Sequence, residues 1–367
     1  MPQISASVMI SGQPAPDLLP SVLELDVEED RDMASVLRMK LAMYKPESGL
    51  WTFLDDDRIQ LWAPIAVSAK IADDEQALFS GFITDIRGHF DIDDNASYVL
   101  IQGMDATCLM AIEEKIKDWP NMSDSDIASQ ILSNYHLTPQ VDDTGVVHDD
   151  KIATIIQRGT DFHFLKKLAR RNGFECGVRG DQGYFRKPVL NSKPLPVLAV
   201  LFGGDTNVAS VDTHVNALRP VSLAMHQIDT IGKQAQDATI ASSDQVQLGK
   251  NGTLSVTVPN GVQSKVIVKH AVATGIPEMQ NLCQAIYDRA EWWMEAKGYV
   301  DSVAYGTFLR AQSLVPMKGV GEIFSGIYYL TNVRHVLTVN GYLQHFTGRR
   351  NAMAPNDSDF TQAASLF

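Results

Sequence analysis

The first third of the chain, roughly residues 1–115, is dominated by apolar side chains that alternate with polar or small ones. The runs 65–71, 79–86 and 97–102 show this period of two, and the last two flank a turn-rich segment at 91–95. Because successive side chains of a strand point to opposite faces of a sheet, the pattern predicts antiparallel meander strands.

A further alternating run at 22–29 places Glu24, Asp26 and Glu28 on one face of a predicted strand. We expect its apolar face to pack inward and its acidic face to meet water or a partner.

Between about 105 and 190 the apolar period changes to near 3.6, which indicates helices. Ser, Thr and Asp residues that accept hydrogen bonds from a first helical turn mark the starts, and glycine marks a stop. We predict a compact α+β module with a helix capped within 122–126 and ending near 134–136, a second helix capped at Thr160 or Asp161 and stopped at Asn172-Gly173, and a hairpin over 174–186 that turns at 179–182.

From about residue 195 strand patterns return, at 197–202, 218–228, 254–258, 265–268 and about 301–311. One helix interrupts them, with Pro277 in its first turn, Lys297 near its end and Gly298 as its stop. Trp292 and Trp293 would be neighbours in this helix and point about 100° apart. Either one is core and the other lies on a surface covered in an assembly, or both pack against a wide concave wall.

A long β-hairpin over 319–351 is predicted to close the fold. Its two apolar runs are joined across 339–342, where Asn340-Gly341 is a dipeptide that tolerates the positive φ angles of a two-residue turn. The first and third regions are thus both rich in strands and similar in size, and each is a candidate barrel, although no residue-by-residue repeat relates them.

Composition narrows the class of protein. A chain of 367 residues suggests two or three domains, and 45% hydrophobic with 20% charged residues is typical of globular proteins. A net charge of -13 argues against binding to nucleic acid or anionic membranes, which requires clustered Lys and Arg. No apolar run is long enough to span a membrane and no basic secretory leader opens the chain, so we expect folding in the cytoplasm without membrane insertion. The separated Cys108, Cys176 and Cys283 are expected to be small buried hydrophobes.

No pattern of catalytic, cofactor-binding or metal-binding residues emerges. His335 and His345 lie on either side of the predicted turn and are interpreted as wall or interface residues, with a site between them as the alternative. The run 91–95 begins like a calcium loop but has Ala96 and Gln102 where Gly and Glu are needed, which indicates a turn. The remaining candidates are interpreted as a solvated acidic loop at 55–57, a tight glycine-rich loop after a buried strand at 202–207, and a strand segment rather than a nucleophile elbow at 324–326.

Three segments resemble a known family. The segment 157–174 is similar to the "sD-x-x-FL-x-x-LA-x-x-x-G" helix of phage late control D proteins and of the hub-like N-terminal part of type VI secretion VgrG proteins. The strand 81–86 looks like the family's "G-x-I-x-x-I" strand, and 321–351, with Phe-Ser-Gly-Ile-Tyr-Tyr at 324–329, resembles its closing hairpin. Their order and spacing agree with the family, and together they cover most of the chain.

The resemblance implies the baseplate hub of a contractile tail, a homotrimer that adapts a hexameric inner tube to a trimeric spike. The expected fold class is α+β and mainly β, with two tube-like antiparallel β-barrel domains and an inserted small α+β module. The expected division is a first barrel domain at 1–115, the module at 116–190, a second barrel domain at 191–352 with a helix at about 277–297, and a flexible tail at 353–367.

The same resemblance implies a non-enzymatic role without cofactors. The expected partners are two further copies of the chain, the inner tube or tube-initiator protein, a separate spike protein and other baseplate proteins. We expect assembly in the bacterial cytoplasm into the baseplate of a phage tail, a tailocin or another injection particle, without stable nucleic-acid binding. The acidic chains are further expected to form a channel that does not retain DNA or acidic cargo.

Two other functions stay open at this stage. A cell-wall hydrolase or peptidoglycan-binding factor would use the module at 120–175 to grip glycan. A tube-initiator protein would be mechanical too, but would assemble with sixfold symmetry.

Overall fold

The computed structural model describes residues 4–47, 49–93, 96–152, 154–217, 222–229, 231–250, 264–269, 271, 273–356 and 359–360.

Strands predominate over helices along the described chain. The strands are β1 (Ile4–Ile10), β2 (Gln13–Pro14), β3 (Val22–Asp30), β4 (Val36–Ala42), β5 (Pro64–Ile71), β6 (Asp74–His89), β7 (Tyr98–Met104), β8 (Glu114–Trp119), β9 (Thr138–Val141), β10 (Ile155–Thr160), β11 (Glu175–Arg179), β12 (Gln182–Arg186), β13 (Leu198–Ala199), β14 (Val208–Val215), β15 (Ser222–Ile228), β16 (Ala235–Ile240), β17 (Lys265–Val268), β18 (Met294–Asp301), β19 (Leu314–Lys318), β20 (Gly326–Thr338) and β21 (Gly341–Arg350). The helices are α1 (Asp124–Asn134), α2 (Asp161–Asn172), α3 (Ile276–Ala290), α4 (Ser302–Tyr305) and α5 (Gly321–Phe324). The predicted class, α+β and mainly β, is confirmed.

One continuous sheet of 13 strands runs through both β-rich regions. Its main path has the order β14-β18-β21-β20-β3-β4-β7-β6-β5-β1-β2, and β19 with β13 joins it beside β20. The two regions meet where β3 pairs antiparallel with β20, from Glu24 opposite Thr338 to Asp30 opposite Asn332. Within the described strands the path stays open at β14 and at β2, so the two predicted barrels are here the two halves of one sheet.

The first half has the strands that the alternating pattern predicts. In β5 the residues Ile65, Val67, Ala69 and Ile71 are buried, while the side chains between them are partly exposed. They pack in one apolar cluster with residues of β1, β3, β4, β6 and β7. The apolar face therefore forms the core of this half.

The α+β module has the two predicted helices and the predicted hairpin. Ser123 caps α1 in a capping box with Asp126, because each side chain bonds to the other residue's backbone N–H. Thr160 caps α2, and Gly173, at φ 69°, ends it in the left-handed conformation that glycine adopts without strain. The hairpin of β11 and β12 turns between Arg179 and Gln182 as expected.

The third region corrects several predictions. Helix α3 ends at Ala290, and the predicted end of the helix at Lys297-Gly298 lies instead inside strand β18. The strand predicted at about 301–311 is wrong, because Asp301 is the last residue of β18, Ser302–Tyr305 is the short helix α4, and residues 306–311 form no strand. Strand β17 agrees with the prediction, whereas the predicted strand at 254–258 and residues 218–221 lie outside the described residues.

Trp292 and Trp293 are not neighbours in a helix, since both follow the end of α3. They are 8% and 5% exposed, so the alternative in which one of them marks a surface is wrong, and both are packed in the interior. The Trp292 ring packs against Tyr329 with ring centroids 5.6 Å apart. Two buried tryptophans thus fix the passage from α3 into β18.

The closing hairpin of β20 and β21 is present, but its turn lies one residue earlier than expected. Thr338 pairs with Gly341, so Val339 and Asn340 are the two loop residues. Gly341, at φ 144°, is already the first residue of β21. The segment 324–326 is likewise the end of α5 and the first residue of β20 instead of a strand throughout.

Buried carboxylates tie the three regions together at one end of the sheet. Glu175 of β11 accepts hydrogen bonds from the Tyr329 hydroxyl at 2.7 Å and from the Gln312 amide at 2.9 Å. Burial raises the pKa of Glu175 to about 6, although the nearby Arg31 opposes the shift. Glu29 of β3 pairs with Arg310 and accepts from the Ala311 N–H at 3.1 Å. Two carboxylates, Glu29 of the first region and Glu175 of the module, thus bind residues 310–312 of the third region, which lead into β19.

In the predicted tail, Ala354 forms a bridge with Lys250 and Asp359 is buried. Residues 357–358 and 361–367 lie outside the described part of the chain. The three cysteines are free and buried, as predicted. Among the described helices, none combines the length and the apolar character that a membrane crossing requires.

We predict that Gly81→Ala destabilises the fold, because a Cβ at Gly81 would lie 2.1 Å from the Met104 carbonyl oxygen. Overpacking of this kind costs about 1–3 kcal/mol. Gly204→Ala is the matched control, since nothing lies within 4 Å of a Cβ there, and it should cost below about 0.5 kcal/mol. Urea unfolding of both variants is the measurement, and equal midpoints would contradict the close approach of β6 to β7.

Candidate functional site

One face of the continuous sheet, here called the polar sheet face, carries charged side chains from β14 across to β6. Residues paired across antiparallel strands share a face, so the register defines its members. The charged members are Glu24, Asp26, Glu28 and Asp30 of β3, Arg38 and Lys40 of β4, Asp85 and Arg87 of β6, Asp212 of β14, Glu295, Lys297 and Asp301 of β18, Arg334 of β20 and Arg349 of β21.

Asp26 is the centre of the polar sheet face and is only 1% exposed. Arg334 donates to it from β20 at 2.9 and 2.7 Å, and Arg38 donates from β4 at 3.3 Å. These hydrogen bonds to Asp26 raise the pKa of Arg334. The expectation that this acidic face meets water or a partner is therefore wrong at Asp26, because arginines of both flanking strands cover the carboxylate.

A second group of ion pairs lies towards the β14 edge. Glu295 contacts Lys297 at 2.8 Å and Arg349 at 3.1 Å. Partial burial opposes ionisation of Glu295, but the hydrogen bond from Lys297 and the charge of Arg349 prevail and lower its pKa. At the other side Asp85 pairs with Arg87 at 2.6 Å. The polar sheet face therefore holds carboxylates and cations in compensating pairs.

The two candidate histidines lie on opposite faces of the sheet, because His335 is opposite Gln344 and His345 is opposite Arg334. His335 is fully buried and bonds through Nδ1 to the Tyr342 hydroxyl at 2.7 Å. Burial lowers the pKa of His335 to about 4, so the ring is neutral at neutral pH. The structure does not bring the two rings together, and the wall-residue interpretation holds for both.

The other sequence candidates are loops. Asp56 of the acidic run pairs with Arg58 at 2.7 Å, while Asp55 and Asp57 are exposed. In the glycine-rich loop, Asn207 accepts a hydrogen bond from the Ala199 N–H at 2.8 Å and donates one to the Val197 carbonyl at 2.9 Å, which closes a tight turn. At 91–93 the Asp93 N–H donates to Asp91, as in a turn, and residues 94–95 lie outside the described part of the chain.

A buried charge cluster that the sequence analysis missed joins the module to α3. His148 contacts Asp124 at 3.0 Å and Glu278 at 3.5 Å. Arg171 contacts the same two carboxylates at 2.8 and 2.7 Å. Burial opposes protonation of His148, but hydrogen bonds to Asp124 and Glu278 prevail and raise its pKa to about 8. The four residues are far apart in the sequence and share no spacing that would have revealed them.

The cavities lie beside this cluster and at the end of the sheet. One of about 450 Å³ is bordered by Asp124, His148, Arg171 and Glu278, whose charges are already paired with one another. Over the described ranges, no three His, Cys, Asp or Glu side chains converge as metal ligands would.

A family model described as the Alg8 N-terminal domain matches residues 2–338. The chain belongs to the Alg8 N-terminal domain family. No curated protein matches its sequence.

Solved structures of tail proteins share the fold of this member of the Alg8 N-terminal domain family. The tail protein from Neisseria meningitidis MC58 has a TM-score of 0.66 at 14% identity, over 98% of this chain and 99% of that one. The 43 kDa tail protein of prophage MuSo2 from Shewanella oneidensis has a TM-score of 0.65 at 13% identity, over 95% and 99%. An Escherichia coli type VI secretion component, described as similar to phage T4 tail proteins, has a TM-score of 0.56 at 11% identity, over 96% and 79%.

These comparisons confirm the resemblance to tail proteins at the level of the fold. Membership of the late control D family stays a prediction, because the matching model is that of the Alg8 N-terminal domain.

We predict that Asp26→Asn lowers stability by about 1.5–3 kcal/mol, the usual value of hydrogen bonds to a charged group. The reason is that Arg38 and Arg334 would face each other without the carboxylate between them. The control is Glu24→Gln on the same face of β3, which forms no ion pair within the described residues and should change stability by less than about 0.5 kcal/mol. Urea unfolding measures the free energy of unfolding of both variants. Equal losses of stability in the two variants would show that Asp26 is not the centre of the face.

We predict that His148 makes stability depend on pH. Its pKa of about 8 in the folded chain lies above the value of about 6.5 in an unfolded one, so its contribution is complete below pH 6.5 and is lost as the pH rises through 8. The difference in stability between the native chain and His148→Gln should therefore shrink by about 1–2 kcal/mol from pH 6 to pH 9. His163→Gln, an exposed histidine of α2, is the control and should give no such trend. A difference independent of pH would refute the role of the cluster.

Proposed function

We propose that this chain is a structural component of a contractile tail or injection particle and forms its baseplate hub as a homotrimer. The observation that carries the proposal is the continuous sheet, which has two β-rich halves joined at β3 and β20. The proposed role of this sheet is to adapt a hexameric inner tube to a trimeric spike. The shared fold with phage tail proteins and with a type VI secretion component supports a role of this kind.

The trimer would place two halves from each of three chains around one axis and so approximate six similar units. The open strands β14 and β2 at the ends of the described sheet have an unpaired side, and such edges pair readily with another chain. Contacts between these edges of neighbouring copies would close the ring. We retain the division into halves at 1–115 and 191–352 around the module at 116–190 as part of this proposal.

The polar sheet face is the proposed wall of the channel. Four of its carboxylates, Asp26, Glu28, Asp85 and Glu295, are paired with arginines or lysines, so much of its negative charge is compensated. The acidic lumen expected from the net charge of -13 is therefore replaced in this proposal by a wall with compensated charges. A wall of this kind neither binds nor repels an acidic cargo strongly, because paired charges give a weak net field.

The proposed role is mechanical, without enzymatic activity or a cofactor. Its partners would be two further copies of the chain, an inner-tube or tube-initiator ring, a separate spike and other baseplate proteins, without stable nucleic-acid binding. Assembly would take place in the bacterial cytoplasm. The particle would be a phage tail, a tailocin or a related injection system.

We predict that the purified chain has three times its monomer mass of 40.4 kDa, because a hub has threefold symmetry. Native mass spectrometry and a cryo-EM map of the particle measure the number of copies and the symmetry. A sixfold ring would favour the tube initiator over the hub. A monomer that degrades purified peptidoglycan would favour the cell-wall hydrolase and refute both mechanical functions.

A further inference from the structure

An exposed apolar group lies at the tip of the β6–β7 hairpin and the loop beside it. This group, here called the tip patch, consists of Leu50, Trp51, Phe90 and Ile92. Phe90 is 55% exposed, Leu50 63% and Ile92 fully exposed, whereas Trp51 is partly buried and packs against the core of the first half. The Trp51 and Phe90 rings meet edge to face with centroids 5.2 Å apart. Clustered exposure of large apolar side chains is uncommon on soluble proteins and is typical of docking sites.

The loop that carries Trp51 is held in a fixed shape. The Thr52 N–H donates to the Tyr44 carbonyl at 3.1 Å, and the Trp51 N–H donates to the Asp55 carboxylate at 2.6 Å. Phe53 has a φ of 62°, a conformation that a bulky residue adopts only when its surroundings impose it. The patch is therefore preorganised, which lowers the entropy lost on binding.

Carboxylates border the tip patch. Glu47, Asp55, Asp57, Asp91 and Asp93 are all exposed in the same two segments, which also hold one exposed lysine, Lys45, so the border is acidic on balance. The nearby Arg87 is already paired with Asp85, and Arg58 with Asp17 and Asp56. Charge complementarity thus indicates a partner with an apolar recess flanked by lysines or arginines.

The described β20–β21 hairpin tip of the second half lacks an aromatic and acidic group like the tip patch, although the two hairpins point the same way. The strand register relates the two tips. Thr338, at the end of β20, is opposite Glu24 of β3, and Glu24 is opposite Lys40 of β4. Tyr98, at the start of β7, is opposite Ala42 of β4 and His89 of β6. The β20–β21 tip and the β6–β7 tip therefore lie at the same end of the sheet. The β20–β21 tip carries only Val339 and Asn340. A trimer would present six tips at this end, of which every second one is aromatic and acidic.

We propose that the tip patch docks into an apolar recess with a basic rim on the sixfold ring that continues the inner tube, and that it fills this recess on alternate subunits only. The proposal rests on the proposed hub function. Three strong and three weak contacts would hold a threefold hub in one fixed rotation on a sixfold ring.

The test compares a Phe90→Ser, Ile92→Asp double variant with Val339→Asp at the plain tip. The probe is the purified inner-tube or tube-initiator ring protein of the same particle, and affinity is measured by surface binding. The double variant should weaken binding by about tenfold or more, whereas Val339→Asp should change it by less than about threefold. Unchanged mass and thermal midpoint of both variants exclude misfolding, because all three substituted side chains are exposed.

The outcomes separate the two proposals. If the native chain is a trimer and binds the ring, and both variants bind equally well or lose affinity equally, the tip patch is refuted while the hub stands. If the native chain is not a trimer or does not bind the ring, the hub function fails and the tip patch with it. A cryo-EM map of the complex should show the patch against every second ring subunit, and six equivalent contacts would overturn the alternation.

Discussion

The antiparallel pairing of β3 with β20 is the constraint on which the rest of the structure depends. It joins segments whose contacting side chains, Asp30 and Asn332, are 302 residues apart. Without it the first and third regions would be separate sheets with two more open edges. The loop-closure entropy of such a contact grows only with the logarithm of the separation, so a few well-paired strands offset it. The Asp26 carboxylate, held by Arg334 from β20 and Arg38 from β4, adds a charged contact across the same junction.

The end of the β3–β20 junction at Asp30 and Asn332 also orients the α+β module. Arg31, just beyond β3, donates its N–H to the Thr331 carbonyl of β20, and its guanidinium lies 3.7 Å from Glu175 of β11. The Tyr329 hydroxyl binds the same carboxylate. Because the buried groups are mutually satisfied, losing one partner would leave another unpaired at low dielectric. The described residues of the hairpin tips at the opposite end of the sheet include exposed apolar and acidic side chains, which are available to a partner.

The features that were predicted best from the sequence are those that depend on contacts between residues close together along the chain. Ser123, Thr160 and Gly173 act on backbone groups within a turn of their own positions, and all three were found as helix ends. The alternation in β5 is likewise local. By contrast, the residues from Glu291 to Gly298 have a helical apolar pattern, yet Ala296 and Met294 are buried by pairing with β14 and β21, so tertiary contacts override the pattern. The turn at Val339-Asn340 was shifted because the register of the two long strands, and not the Asn-Gly dipeptide, determines which residues form the loop.

The features that bear on function were the least visible in the sequence. In the sequence Asp26 looked like one acid of a solvated stripe, because the arginines that bind it, Arg38 and Arg334, are 12 and 308 residues away along the chain. His148 and Glu278 gave no signal for the same reason. The resemblance of 157–174 and 321–351 pointed to tail proteins because those segments have distinctive order and spacing, and the comparisons support that fold.

The position of β20 near the end of the chain also determines when β3 can be protected during synthesis. A ribosome adds about 5–20 residues per second, so roughly 15–60 s pass between the emergence of β3 and that of its partner. Throughout this interval one side of an acidic strand is exposed to the other nascent chains around it. Its glutamates and aspartates keep identical strands apart by repulsion, since like charges disfavour pairing in register. Before Arg334 arrives with β20, the acidic residues of β3 thus disfavour premature association of nascent chains.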